Sequence, residues 1–122
     1  MTSSQALYQF WAGFDWPAYD ENTVPSEEMH PAMPRITYQS AWGSFESELS
    51  LVASLWDRSY SWEAVETKAE EIYNAIGGGV HLPDNAGFVW IDDPSAFAQR
   101  MEDEDDSIRR ILIQVKVEFY KG

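Results

Sequence analysis

Cysteine is absent from the 122 residues, which excludes disulfides and thiolate-ligated metal sites. Stability has to come from packing alone. No apolar run approaches the ~18 residues needed to span a bilayer. The opening stretch MTSSQALYQFWAG also lacks the basic start and continuous apolar core of a signal peptide. The chain is therefore expected to be soluble and intracellular when made, with no membrane partner. Positive charge is scarce as well: 8 Lys and Arg against 21 Asp and Glu give a formal net charge of −13. A free domain with that field is repelled by DNA and by anionic membranes. Three readings of the acidity remain open. It serves solubility, it lines a conduit through which DNA slides without sticking, or it imitates DNA and occupies a DNA-binding protein.

What the chain does have is apolar and aromatic content: 44% hydrophobic residues, with six Trp, six Tyr and six Phe. That is enough for one core in a single domain, 1–122. Leu7, Phe10, Trp11 and Phe14 have helical spacing, Ser3 or Ser4 can cap the first turn, and Gly13 and Pro17 stop the helix. Residues 15–34 carry Pro17, Pro25, Pro31 and Pro34 and read as an extended Pro-rich loop without regular structure. Its Trp16, Tyr19, Asp20, Glu21 and Val24 are candidate partner-contact residues.

From Arg35 the pattern turns to period two. Ile36, Tyr38 and Trp42 alternate with polar residues, Gly43 and Ser44 make a turn, and Glu48 to Arg58 forms a second strand with Leu49, Leu51, Ala53 and Leu55 on one face. Ser61 opens an amphipathic helix on Val65, Ala69, Ile72 and Ile76, which Gly77 ends. Val80–Leu82 and Phe88–Asp92 flank the turn residues Pro83, Asp84, Asn85 and Gly87 as a second hairpin. Pro94–Met101 reads as a short helix or an ordered loop. Ile108–Tyr120 is a long strand with Ile111, Ile113, Val115, Val117 and Phe119 on one face. The expected fold is α+β: a mostly antiparallel sheet of about four to five strands flanked by two helices.

No catalytic constellation is visible. Glu102, Asp103, Glu104, Asp105 and Asp106 lack the alternate spacing and central Gly of a calcium loop, and read as a solvated acidic loop. Arg100, Arg109 and Arg110 bracket this run. If run and arginines belong to different subunits, together they form a subunit interface. His30 and His81 are isolated and have no metal-ligand spacing. Gly77, Gly78 and Gly79 follow a helix instead of a strand and no Lys follows them, so they are not a phosphate loop. No metal, cofactor or enzymatic activity is expected.

Four stretches, in chain order, look like one family. FWAGFDWPAYDENTVPS (10–26) is an aromatic helix followed by an Ala-Tyr-Asp-Glu loop, and PRITYQ (34–39) is a first strand. SLWDRSYSWEAVETKAEEI (54–72) is a strand running into a helix. AFAQRMEDEDDSIRRILIQVKVEFY (96–120) is a turn, an acidic stretch, an Arg-Arg pair and an alternating strand. Together they resemble the tail-terminator proteins, often labelled minor capsid or minor tail proteins, of siphophages of Gram-positive hosts. The resemblance implies a structural virion subunit at the head–tail interface. It implies a self-assembled ring, commonly a hexamer, that caps the tail tube protein, ends tail elongation and meets the head-completion or connector protein. DNA would pass through the lumen without specific binding. The motifs alone do not separate a terminator from a head-completion or minor tail protein at the same joint, which stands as an alternative. The competing expectations are an acidic DNA-mimic inhibitor and, least supported, a hydrolase.

Overall fold

The computed structural model describes residues 2–21, 33–40, 48–84, 87–94 and 97–121. In chain order the elements are α1 (Ser3–Ala12), β1 (Ala18–Asp20), β2 (Arg35–Tyr38), β3 (Glu48–Arg58), α2 (Glu63–Ile76), β4 (Val80–Pro83), β5 (Gly87–Asp92), β6 (Ala98–Met101) and β7 (Ile108–Lys121). The cap of α1 is Thr2, one residue earlier than expected. Its Oγ1 accepts the Gln5 N–H at 3.2 Å while Gln5 Oε1 accepts the Thr2 N–H at 2.8 Å, a reciprocal capping box. At the other helix, Ser61 Oγ accepts the Glu63 N–H at 3.1 Å, and Gly77 closes the last turn with φ of 49° and an N–H bond to the Tyr73 carbonyl. A left-handed φ there suits glycine.

All seven strands lie in one sheet of order β1-β2-β3-β7-β5-β4, with β6 also paired to β7. β1 and β2 run parallel, and the remaining pairs are antiparallel. β7 is the axis of the sheet. Its one edge carries β3 from Ile108 to Glu118, and its other edge is divided between β6 at residues 110–113 and β5 at residues 116–121. Side chains alternate across a strand, so Ile111, Ile113, Val115, Val117 and Phe119 face one way and are buried with Leu51, Ala53 and Leu55 of β3. The same cluster takes Leu7 and Trp11 from α1 and Val65, Ile72 and Ile76 from α2. Both helices thus cover one face. α2 packs on the central β3 and β7, whereas α1 touches β1 at one end of the sheet and β4 and β5 at the other.

The expected architecture needs correction. Instead of four to five mostly antiparallel strands with helices flanking them, the sheet is mixed, has seven strands and curls into a half-barrel over two helices on its inner face. Two strands account for the miscount. β1 lies inside the segment expected to be irregular, and at three residues it is too short to show a period; it is held by the neighbouring β2. β6, in the stretch expected to be a helix or loop, reads Ala-Gln-Arg-Met without a β-branched or aromatic residue, and is imposed by its register against β7. Trp42, Gly43, Ser44, Asn85 and the prolines Pro25 and Pro31 lie outside the described residues. Among the described residues no helix is long and apolar enough to cross a membrane.

Tyr38 gives this core a pH dependence. It is buried beneath Trp11, with ring centroids 6.2 Å apart, and burial, aided by the charges of Asp20 and Tyr8, pushes its phenol up to about 12. The unfolded phenol ionises near its ordinary value of about 10. The neutral folded form therefore contributes stability in full below about pH 10, and that stability is lost as the pH climbs from there toward 12. Tyr38→Phe should lose less stability than the parent between about pH 9 and pH 12 in urea titrations. Parallel losses in the two proteins would show that Tyr38 does not titrate with unfolding.

Candidate subunit interface

Arg109 and Arg110 are successive residues of an extended strand, so the sheet separates them onto opposite faces. Arg110 points to the face that no described helix covers. Its guanidinium carbon lies 4.5 Å from the Trp56 ring centroid, and its Nε donates to Ser54 Oγ at 3.1 Å. Arg35, directly opposite Trp56 in the β2–β3 register, brings a second guanidinium to 5.6 Å from the same ring. The indole is held in turn by its Nε1, which donates to Thr37 Oγ1 at 2.9 Å. Arg35 is 7% exposed, and burial lowers its pKa while the charge of Tyr19 opposes that shift. A guanidinium stays protonated through such a shift. This row of two cations and an indole is one of few positive features on an acidic chain, and cations over an indole are attracted by its ring quadrupole.

On the helix side a second indole collects the other two arginines. Arg100 and Arg109 lie over Trp62, with guanidinium carbons 4.6 and 5.3 Å from its centroid. Arg100 is further tied to Glu66 of α2 through Nε and Nη2, and Arg109 donates to the backbone carbonyls of Asp106 at 2.8 Å and Tyr60 at 3.1 Å. Arg100, Glu66, Glu70 and Trp62 line a groove of about 630 Å³ between α2 and β6. Of the three arginines singled out in the sequence, two are therefore held on the α2 side of the sheet, Arg100 at the surface and Arg109 half-buried, and Arg110 alone lies on the opposite face.

The acidic run forms the turn between β6 and β7. Asp105 organises it: Oδ1 accepts from the Ser107 N–H at 2.8 Å and from its hydroxyl at 2.6 Å, while Oδ2 meets Arg58 Nη1 at 3.2 Å. The Ser107 bonds first, and then Arg58, hold the Asp105 carboxyl below the usual carboxylate range. Asp103 Oδ1 accepts the Asp105 N–H at 3.0 Å. Glu102, Glu104 and Asp106 are exposed, and among the described residues their carboxylates have no partner. None of Arg100, Arg109 and Arg110 ion-pairs with this run among the described residues; Arg58 does.

The described start of the expected partner-contact loop, residues 15–21, is tied to the rest of the fold. Trp16 lies under the Lys68 ammonium, 5.5 Å from its ring, and that ammonium also donates to the Phe14 carbonyl at 2.8 Å. Tyr19 and Asp20 belong to β1, and the Glu21 N–H donates to the Tyr38 carbonyl at 2.9 Å. Val24 and His30 lie outside the described residues. His81 is on β4, its ring 4.4 Å from Phe88. Among the described residues no three His, Asp or Glu side chains converge as a metal site.

Sequence reading missed Arg35, Arg58, Trp56 and Trp62 as members of this region. For Trp56 a signal existed: it has the opposite parity to Leu49, Leu51, Ala53 and Leu55 on the same strand. No protein-family model matches the chain, and no curated protein matches it either.

Proposed function

We propose that the chain is a structural, non-enzymatic subunit of a tailed-phage virion, a tail-terminator protein that forms a ring at the head–tail joint. The observation that carries this reading is the arrangement of charge. Four of the five arginines gather near the start of β7 on Trp56 and Trp62, beside a turn that presents Glu102, Glu104 and Asp106 to solvent. Complementary charges that do not pair with each other within the subunit among the described residues support contacts between copies, and head-to-tail contacts generate rings when the rotation closes. The net charge of −13 supports a lumen that repels DNA and lets it slide. The four stretches that resemble tail terminators supply the particular joint, with the tail tube on one side and the head connector on the other. A hexamer is the copy number that resemblance implies.

The test is electron microscopy of phage lysates made without this chain. Tails of abnormal or variable length, detached from filled heads, are the expected result. Tails of normal length beside heads that leak DNA would move the protein to the head side of the joint. Normal joined particles would overturn a joint role and favour the acidic DNA-mimic.

A further inference from the structure

The ring reading leaves open which surfaces meet, and the fold narrows the choice. Resting on that reading, we propose that the sheet face around Trp56 and Arg110, which no helix covers among the described residues, is the docking surface for the β6–β7 turn of a second copy of the chain. The receiving cation is the half-buried Arg110, and it is preformed: it lies over the Trp56 indole, which the buried Arg35 also approaches, and Ser54 and Thr37 hold Arg110 and Trp56 in place. Arg110 uses its Nε internally, so its two terminal nitrogens remain for a carboxylate, which a guanidinium binds in bidentate fashion.

The entering side is the turn. Asp105, Asp103 and Ser107 hold its backbone by bonds within the loop, so it is presented without an ordering cost at the moment of contact. Its remaining carboxylates, Glu102, Glu104 and Asp106, face solvent. On a chain of net charge −13, most encounters between copies are repulsive. A cationic patch meeting this turn is the pairing that favours association and fixes its register. The helix-side arginines already have partners within the subunit, Arg100 the half-exposed carboxylate of Glu66 and Arg109 two backbone carbonyls, whereas Arg110 has no carboxylate partner among the described residues.

The experiment uses the full chain and two variants, Arg110→Glu and the triple Glu102→Lys, Glu104→Lys, Asp106→Lys, with sedimentation velocity as the readout. The parent chain should assemble at about 0.1 M salt, where the Debye length is ~10 Å, and disperse at about 1 M, where it is ~3 Å. Each variant alone should self-associate at least about 30-fold more weakly, as expected when a docked charge pair is broken. An equimolar mixture should regain assembly, because every contact in an alternating assembly is again complementary. Recovery on mixing also excludes misfolding as the cause of the single losses. A mixture that stays dispersed while both variants keep the parental circular dichroism would overturn the docking assignment. So would variants that assemble like the parent, although the ring reading would survive that result. A parent chain that stays monomeric at all salt concentrations sinks both. Binding of a short duplex DNA that depends on Arg110, with no association of copies, overturns the proposal in favour of a phosphate site. Assembly by this contact beside normal tails in the lysate test removes the joint role and leaves the contact standing.

Discussion

Trp11→Ala is expected to remove about 3–5 kcal/mol of folding stability, the range for deleting a buried large aromatic. Total stabilities of domains this size are about 5–15 kcal/mol, so the variant should sit close to the unfolding threshold at room temperature. Trp11 is 2% exposed and lies at the centre of an aromatic group, 4.9 Å from Phe10, 6.2 Å from Tyr38 and 6.4 Å from Phe14 between ring centroids. Its helix is the element that reaches both ends of the curled sheet, β1 on one side and β4 with β5 on the other. Losing its largest buried side chain both leaves a cavity and loosens the closure of the curl. The measurement is urea unfolding followed by far-ultraviolet circular dichroism, with Trp11→Phe as the milder comparison. A loss below about 1 kcal/mol for the alanine variant would contradict the role given to α1.

Gly79→Ala should cost about 2–6 kcal/mol for two separable reasons. Gly79 has φ of 124°, a conformation that an alanine adopts only with strain of about 1–3 kcal/mol. A Cβ at this position would also lie 1.9 Å from Cζ2 of Trp90, so the indole must leave its place, at a cost of about 1–3 kcal/mol for overpacking. A double-mutant cycle separates the two: in a Trp90→Ala background, Gly79→Ala should cost only the backbone part. Equal costs in the two backgrounds would mean that Trp90 moves aside freely. The glycine therefore does more than follow the end of α2: it leaves the space that the Trp90 indole fills.

Periodicity was legible where elements were long and one-sided. Leu49, Leu51, Ala53 and Leu55 mark β3 with the bounds that the structure has, and the apolar alternation from Ile111 to Phe119 marks β7. The spacing of Val65, Ala69, Ile72 and Ile76 marks α2, and all four residues are buried. β1 and β6 were not legible, because strands of three and four residues owe their conformation to hydrogen bonds with distant neighbours. The strand count and the curl therefore stayed hidden, and with them the placement of both helices on the inner face. At the candidate interface, the sequence showed charges adjacent along the chain but not which face each occupies. The alternation of β7 sends Arg109 to Trp62 and Arg110 to Trp56, and the indoles themselves come from β3 and from the residue before α2.

The position of β7 also sets a timetable for synthesis. The last element in chain order is the axis of the sheet, and β3 and β5 both pair with it. A ribosome delivers α1, β3, α2 and β5 before the strand that joins them, so the nascent chain carries half-paired strands and an uncovered apolar face until β7 emerges. Folding of the sheet therefore waits for β7, and shielding by a chaperone matters most in that interval. The closure of distant pairs such as Glu48 with Glu118 then limits the rate. Slow translation of the codons for β7 would lengthen the exposure, and the yield of folded protein should fall with it.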